Sequence, residues 1–336
     1  MSTVLVTGGA GYIGSHTCKA LARAGYMPLA YDNLIYGHPW AVKWGPLEQG
    51  DILDTARLSA VIRASGATAV VHLAAFAYVG ESVINPAKYY RNNVVGTLTL
   101  LEAMRDCCVD RIVFSSTCAT YGVPDKLPIT EETPQKPVNP YGASKLMIEQ
   151  ILSDYQSAYG LQTVALRYFN AAGADPEGES GEDHDPETHL IPLVLDAASG
   201  RRSHITVFGN DYETADGTCV RDYIHVSDLA KAHVLALQGL ENGTLRRNAY
   251  NIGTGQGHSV ASVIDAAKKV TGRNIPVVMG PRRAGDTAVL LADPSRANAD
   301  FCFSPDFPMI EDMLLSAWRW SMRSDRHRSV DKAMTA

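Results

Sequence analysis

No CxxC pair, no HExxH and no other run that spaces cysteine or histidine for a metal ion occurs in this sequence. Its six cysteines, at 18, 107, 108, 118, 219 and 302, are scattered. That pattern excludes a disulfide-framed secreted scaffold and a zinc module, and predicts reduced, mostly buried thiols. The ten histidines are equally dispersed; His184, His189, His225 and His258 carry no ligand spacing, and no metal is expected. No apolar stretch reaches the ~20 residues a membrane helix needs. A long basic run is missing too. With 30 Lys and Arg against 36 Asp and Glu the net charge is −6, which argues against a nucleic-acid surface. Met1-Ser2-Thr3 runs straight into an apolar strand pattern, leaving no room for a cleavable leader, so a cytoplasmic protein is expected. What is present is 46% hydrophobic and 20% charged residues over 336 positions, enough for a soluble enzyme of two lobes.

Glycine supplies the first positive signal. Thr3–Thr7 reads as a short strand, Gly8-Gly9-Ala10-Gly11-Tyr12-Ile13-Gly14 as a tight turn, and Ser15–Ala24 as a helix stopped by Gly25. Strand, glycine turn and helix start form a dinucleotide fingerprint. The glycines allow close approach to a pyrophosphate, and the helix N-terminus attracts the anion. A second strand, Met27–Tyr31, ends in Asp32, the usual place for an acid that binds the adenosine ribose hydroxyls. No Arg or Lys lies between Asp32 and Ala41 to hold a 2′-phosphate, so NAD is favoured over NADP.

Further strands are readable at Ala69–Leu73, Ile112–Ser116 and Val164–Arg167, alternating with helical stretches near 55–65, 86–106 and 141–159. The alternation predicts an α/β fold: a Rossmann-type doubly wound parallel sheet with a smaller C-terminal α/β substrate lobe. The first lobe is placed at 1–169 plus about 221–255, and the second at about 170–220 plus 256–330. Within 221–255, Asp222–Val226 and Ala249–Ile252 read as strands returning to the large sheet. Residues 172–188, crowded with Pro, Gly and acids, read as a long functional loop.

The chemistry sits in Asn139-Pro140-Tyr141-Gly142-Ala143-Ser144-Lys145. Pro140 suits a first helical turn, and residues at i and i+4 share one face, so Tyr141 and Lys145 should point into one pocket. A cation beside a phenol lowers its pKa from about 10 and makes it a base. Thr117, ending the strand Ile112-Val113-Phe114-Ser115-Ser116, should open into the same crevice, where its hydroxyl can relay a proton.

With these motifs assembled, the chain resembles the extended short-chain dehydrogenase/reductases, and among them the UDP-glucose 4-epimerases and their close relatives. The supporting runs are Val4–Ser15, Val79-Gly80-Glu81-Ser82, Asn92-Asn93-Val94, Leu166–Asn170, Val220–His225 and Arg282-Arg283-Ala284-Gly285-Asp286. The resemblance implies an NAD-dependent isomerase that oxidises C4 of a UDP-sugar and reduces it on the other face, with Tyr141, Lys145 and Thr117 catalytic. It places NAD, tightly held, on Gly8, Gly11, Tyr12, Ile13, Gly14, Asp32 and Asn33, with Asp51 and Ile52 at the adenine. Leu73, Ala74, Ala75, Asn92, Ser115, Tyr141, Lys145 and Phe169 fall in the nicotinamide half. For the UDP-sugar it implies Thr117, Tyr141, Asn170, His189, Leu190, Val207, Phe208, Arg221, Arg283 and Asp286, with Leu290 walling the sugar.

Three positions depart from the family pattern: threonine in place of the serine relay at 117, no lysine in Ala75–Gly80, and His189 in place of an asparagine. A nucleotide-sugar 4,6-dehydratase would need an Asp-Glu pair where Cys118-Ala119 stands. A UDP-xylose/UDP-arabinose 4-epimerase is the alternative that the 77–82 and 116–128 runs keep open. The resemblance also implies a homodimer through helices 86–106 and 141–159, carrying Val94, Val95, Leu98, Leu101, Ile148, Ile151 and Leu152. No nucleic-acid or membrane partner is expected.

Overall fold

The computed structural model describes residues 1–283 and 286–334, with side chains of the last helix described as far as 323. Ala284 and Gly285 of the Arg282–Asp286 run lie outside the described residues. Thirteen strands appear among the described residues: β1 (Thr3–Thr7), β2 (Met27–Asp32), β3 (Leu47–Gln49), β4 (Ala67–His72), β5 (Arg111–Thr117), β6 (Gln162–Tyr168), β7 (Asn170–Ala172), β8 (Ile205–Phe208), β9 (Val220–His225), β10 (Ala249–Ile252), β11 (Gly257–Ser259), β12 (Val277–Gly280) and β13 (Val289–Leu290). The α-helices are α1 (Tyr12–Arg23), α2 (Thr55–Ser65), α3 (Val79–Ile84), α4 (Pro86–Tyr89), α5 (Gly96–Asp106), α6 (Pro140–Tyr159), α7 (Leu190–Ser199), α8 (Val226–Glu241), α9 (Val260–Thr271), α10 (Ser295–Phe301) and α11 (Ile310–Met334).

Seven strands form one parallel sheet in the order β10-β6-β5-β4-β1-β2-β3. Its central strands are apolar on both faces: Val4, Leu5, Val6, Val70, Val71, Ile112, Val113 and Phe114 are all fully buried. Continuous burial of that kind requires a helical layer on each side. One core joins the sheet to α1 and α8, the other to α2, α5 and α6. The strand order reverses between β1 and β4, and at that point the carboxyl ends of the strands open a crevice.

The strand over 220–225 differs from the sequence reading. It does not return to the large sheet; β9 pairs with β7, β11 and β13 in a second sheet. Residue 249–252 does return, as β10 beside β6. Only Phe169 separates β6 from β7, so the chain steps directly from one sheet to the other across the crevice. The predicted helix 86–106 is interrupted by a π-helical segment at Tyr90–Val95, the widened turn that often marks a site. Leu101, Ile148 and Leu152, expected on an association face, are buried in the core instead. Val95 of the π segment and Met147 and Tyr159 of α6 are large apolar residues left exposed.

Candidate active site

A cavity of about 1140 Å³ follows the carboxyl ends of the strands from Gly8 to Arg283. Every residue that the sequence placed at the site lines it except Asp51. Asp51 instead accepts hydrogen bonds from Asn33 Nδ2 at 3.2 Å and the Leu53 N–H at 2.9 Å, so it positions its neighbours.

At one end lies the glycine turn. Gly8 has φ +72°, and a Cβ there would meet the Ala74 nitrogen at 2.8 Å. A Cβ on Gly14 would lie 2.0 Å from the Gly8 carbonyl oxygen. The turn is therefore a backbone cradle that side chains would fill. Gly11 caps α1 with no side chain, leaving the helix N-terminus open to an anion. Asp32 is fixed by N–H groups of Ala10 at 3.1 Å and Leu34 at 2.8 Å, while burial raises its pKa. Tyr12 donates its hydroxyl to the Gly173 carbonyl at 2.7 Å, tying this turn to the loop after β7. Ile13 packs against the core from the same turn.

The middle of the cavity carries the proton-transfer groups. Asn139 caps α6 through the Gly142 N–H at 2.8 Å, and Pro140 occupies the first turn. One turn on, Lys145 is buried, donating to the Ser115 carbonyl at 2.7 Å, with its Nζ 6.0 Å from the centre of the Tyr141 ring. Thr117 is buried at the end of β5 and hydrogen bonds the Tyr141 phenol. Ser115 Oγ bonds the Tyr168 hydroxyl beside them.

The electrostatics correct one expectation. Burial, with Tyr168 nearby, pushes the Tyr141 phenol upward, and the Thr117 bond only partly offsets it. Burial also brings Lys145 down to about 7, against a weaker opposing pull from Glu149. Burial, which strips both groups of hydration, outweighs whatever attraction the Lys145 ammonium exerts on the phenolate, so the net shift is upward. Asn92 opens from the π segment, and the adjacent Asn93 anchors it: fully buried, Asn93 bonds the Phe76 backbone at 2.9 and 3.0 Å and Ser144 at 3.1 Å. It therefore ties the cavity wall to the Tyr141 helix. Leu73, Ala74, Ala75, Ile52 and Phe169 complete the apolar lining.

At the far end, Arg221 donates to the carbonyls of Val220 at 2.8 Å and Thr287 at 2.9 Å. Arg283 stacks on Phe208 at 4.9 Å and pairs with Asp286 at 2.9 Å. Val207 lies buried next to Phe208, and Asn170 and Leu290 face the same space from β7 and β13. His189 caps α7 without a side-chain bond, so a second helix N-terminus, at Leu190, lies on the cavity wall. The His189 Nδ1 lies 2.7 Å from Glu182 and 3.0 Å from Glu187, leaving Nε2 for any other partner.

Further wall residues lie outside the expected site, although the departure from the family pattern at Ala75–Gly80 already pointed to Tyr78 as altering the sugar pocket. Tyr36, Phe76 and Tyr78 form an edge-to-face aromatic group, at 5.7 and 5.4 Å, along the side where the family lysine is missing. Lys88 packs on Phe76 at 4.2 Å but is tied to Glu81 at 2.6 Å. Glu182, His184 and Thr287 also line the cavity. Only the acid-rich composition of 172–188 pointed toward the first two.

The model of the NAD dependent epimerase/dehydratase family matches residues 4–253. The chain belongs to this family. An epimerase/dehydratase of this kind implies a bound NAD, and the glycine cradle, the open start of α1 and the free lone pairs of Asp32 fit one, with no Lys or Arg from 33 to 42 to favour NADP. The chain is 51% identical over 325 residues to the UDP-glucose 4-epimerase of Rhizobium leguminosarum bv. trifolii, covering 97% of this chain and 99% of that one. A UDP-glucose 4-epimerase from Brucella ovis in complex with NAD superposes with a TM-score of 0.92 at 54% identity, over 95% and 98% of the two chains. The Stenotrophomonas maltophila UDP-glucose-4-epimerase, solved with NAD and formylated UDP-arabinopyranose, gives 0.93 at 40% identity, over 97% and 100%. Within the family, the dehydratase branch does not fit the site. Cys118 is a buried thiol raised to about 12, and Ala119 has no proton to give.

Proposed function

We propose that this protein interconverts UDP-glucose and UDP-galactose by NAD-dependent inversion at C4. The observation that carries the reading is the convergence of Tyr141, Thr117 and Lys145 at the switch point, midway along one cavity with an anion-binding helix start at each end. Tyr141 and Thr117 take the proton from the 4-hydroxyl oxygen and return it there, and Lys145 supplies the local positive charge that favours the phenolate. Bound NAD would supply the hydride acceptor and donor for the sugar C4 and a further positive charge near the phenol. Gly8, Gly11, Tyr12, Ile13, Gly14, Asp32 and Asn33 hold the adenosine and pyrophosphate side, and Asn92, Ser115 and Phe169 border the nicotinamide side.

Arg221, Arg283, Asn170, His189 and the start of α7 hold the sugar-nucleotide diphosphate. Arginine suits that task because its planar fork matches phosphate oxygens. Val207 and Phe208 flank the uracil, and Asp286 faces the ribose. Leu290 and Tyr78 bound the hexose. Inversion requires the same tyrosine to serve both faces of C4, so the sugar must turn while its diphosphate stays clamped. A cavity of about 1140 Å³ leaves room for that.

No helix among the described residues is long and apolar enough to cross a membrane. We place the enzyme in the cytoplasm, where its six unpaired cysteines would stay reduced. We further infer a homodimer through α6 and the π segment, using the exposed Val95 and Met147 together with the partly exposed Val94, Leu98 and Ile151. The test of function is interconversion of the two UDP-hexoses by purified protein, with Tyr141→Phe as the variant that must lose it.

A further inference from the structure

We propose that Glu182, His184, Glu187 and His189 form a binding site for one divalent transition-metal ion of the zinc class. All four belong to the segment between β7 and α7, and their ligand atoms lie within 4.8 Å of one another. Nδ1 of His189 is 2.7 Å from a Glu182 oxygen and 3.0 Å from Glu187; Nδ1 of His184 is 3.1 Å from Glu182 and 3.7 Å from Glu187. Zinc–ligand bonds near 2.0–2.2 Å in a tetrahedron put the donor atoms about 3.3 Å apart, the middle of this range. Two imidazoles and two carboxylates are a mixed nitrogen and oxygen set. It suits zinc, cobalt or nickel, and suits poorly the all-oxygen preference of calcium or magnesium.

Supporting contacts around the four are already made. Glu187 accepts the backbone N–H of Thr188 at 2.7 Å and of His189 at 2.8 Å, which fixes its carboxylate. Tyr12 and Tyr78 meet the His184 ring edge-on at 6.2 and 6.3 Å. The Tyr78 hydroxyl is buried with no hydrogen-bond partner among the described residues. Glu182, His184 and His189 line the large cavity, which gives an ion a path in. A second acidic group, Asp175, Glu177 and Glu179, makes the contrast: there the Lys19 ammonium sits at 2.7, 2.9 and 2.5 Å from the three carboxylates and is itself the cation. Among the described residues no lysine or arginine pairs with Glu182 or Glu187.

The rival arrangement is a purely proteinaceous ion-pair quartet, two imidazolium ions against two carboxylates. Metal binding separates the two without reference to turnover. The NAD-loaded protein is treated with a chelator, dialysed, and titrated with zinc chloride by calorimetry and with cobalt chloride by visible absorption. One saturable equivalent, with the intense d–d bands of tetrahedral cobalt, is expected. Glu182→Gln and His184→Gln should each weaken zinc at least 10–100-fold, with NAD content and circular dichroism unchanged. Glutamine keeps hydrogen-bonding capacity at both positions, and either folded variant decides the matter. Absence of saturable zinc binding, or binding of equal strength in both variants, overturns the site.

Discussion

Replacing Lys145 by methionine removes one positive charge from beside the reacting phenol and leaves the stem of the side chain in place. The size of the effect follows from the geometry. At 6.0 Å from the Tyr141 ring centre and an effective dielectric of about 20, a unit charge stabilises the phenolate by about 2.8 kcal/mol, or about 2 pKa units. Lys145 is brought down to about 7, so it is charged below that pH and the full benefit belongs to the protonated lysine. In the variant, turnover near pH 7 should fall by up to about 100-fold, and the gap to the wild type should close as pH rises and the wild-type lysine loses its charge. Loss of the bond to the Ser115 carbonyl costs about 1–3 kcal/mol, and removal of a buried ammonium offsets it, so the variant should fold. The assay is kcat and kcat/KM for UDP-galactose at pH values on either side of 7, on protein with NAD content verified. A pH profile that does not move, with the cofactor retained, refutes the electrostatic role of Lys145.

Leu290, half-buried against Cys118, Tyr121 and Phe169, should make UDP-N-acetylglucosamine a poor substrate. Overpacking of about 1–3 kcal/mol predicts turnover roughly 10–100-fold below UDP-glucose. Leu290→Ser should narrow that gap and Leu290→Tyr widen it in a two-substrate chromatographic assay; no change in preference removes Leu290 from the gate. His233 is buried on α8 with its pKa lowered to about 4, mainly by burial. A base depressed in the fold contributes stability that is complete above its unfolded pKa near 6.5 and is lost as pH falls toward 4. His233→Leu should therefore shrink the stability loss between pH 7.5 and 5 by about 2 kcal/mol in denaturant unfolding; equal losses in both proteins reject the assignment. Light scattering at micromolar protein should give twice the 36.3 kDa chain mass, and a monomer mass rejects the α6 interface.

The readable parts of the sequence are those where local chemistry allows one solution. Gly8–Gly14 could be read because only glycine fits a turn in which Gly14 touches the Gly8 carbonyl. Tyr141 and Lys145 could be read because helical spacing alone puts them on one face. Other features depend on contacts distant in the chain. β9 has an apolar pattern that suits either sheet, and only its pairing with Asn170–Ala172 and Val289–Leu290 decides which. Helical periodicity marks Leu101, Ile148 and Leu152 as apolar without saying whether core or partner covers them; the core does. The π segment that opens Asn92 has no periodic signature. Nor does spacing reveal the Glu182–His189 quartet, because an irregular loop gathers its side chains and no helix register does. The direction of the Tyr141 shift is not legible in the motif, because its largest cause is burial, which the motif does not show.

The most direct test is the fate of C4 in the substrate. Purified protein carrying its own NAD is incubated with UDP-galactose, no reductant or oxidant is added, and the nucleotide sugars are separated by chromatography and assigned by proton NMR. A mixture of UDP-glucose and UDP-galactose is expected, the same from either starting sugar, without net accumulation of a keto sugar. Tyr141→Phe, with bound NAD intact, should be slower by about 10²–10⁴-fold. UDP-galactose recovered unchanged from fully NAD-loaded wild-type protein, or a Tyr141→Phe variant of undiminished rate, would contradict it.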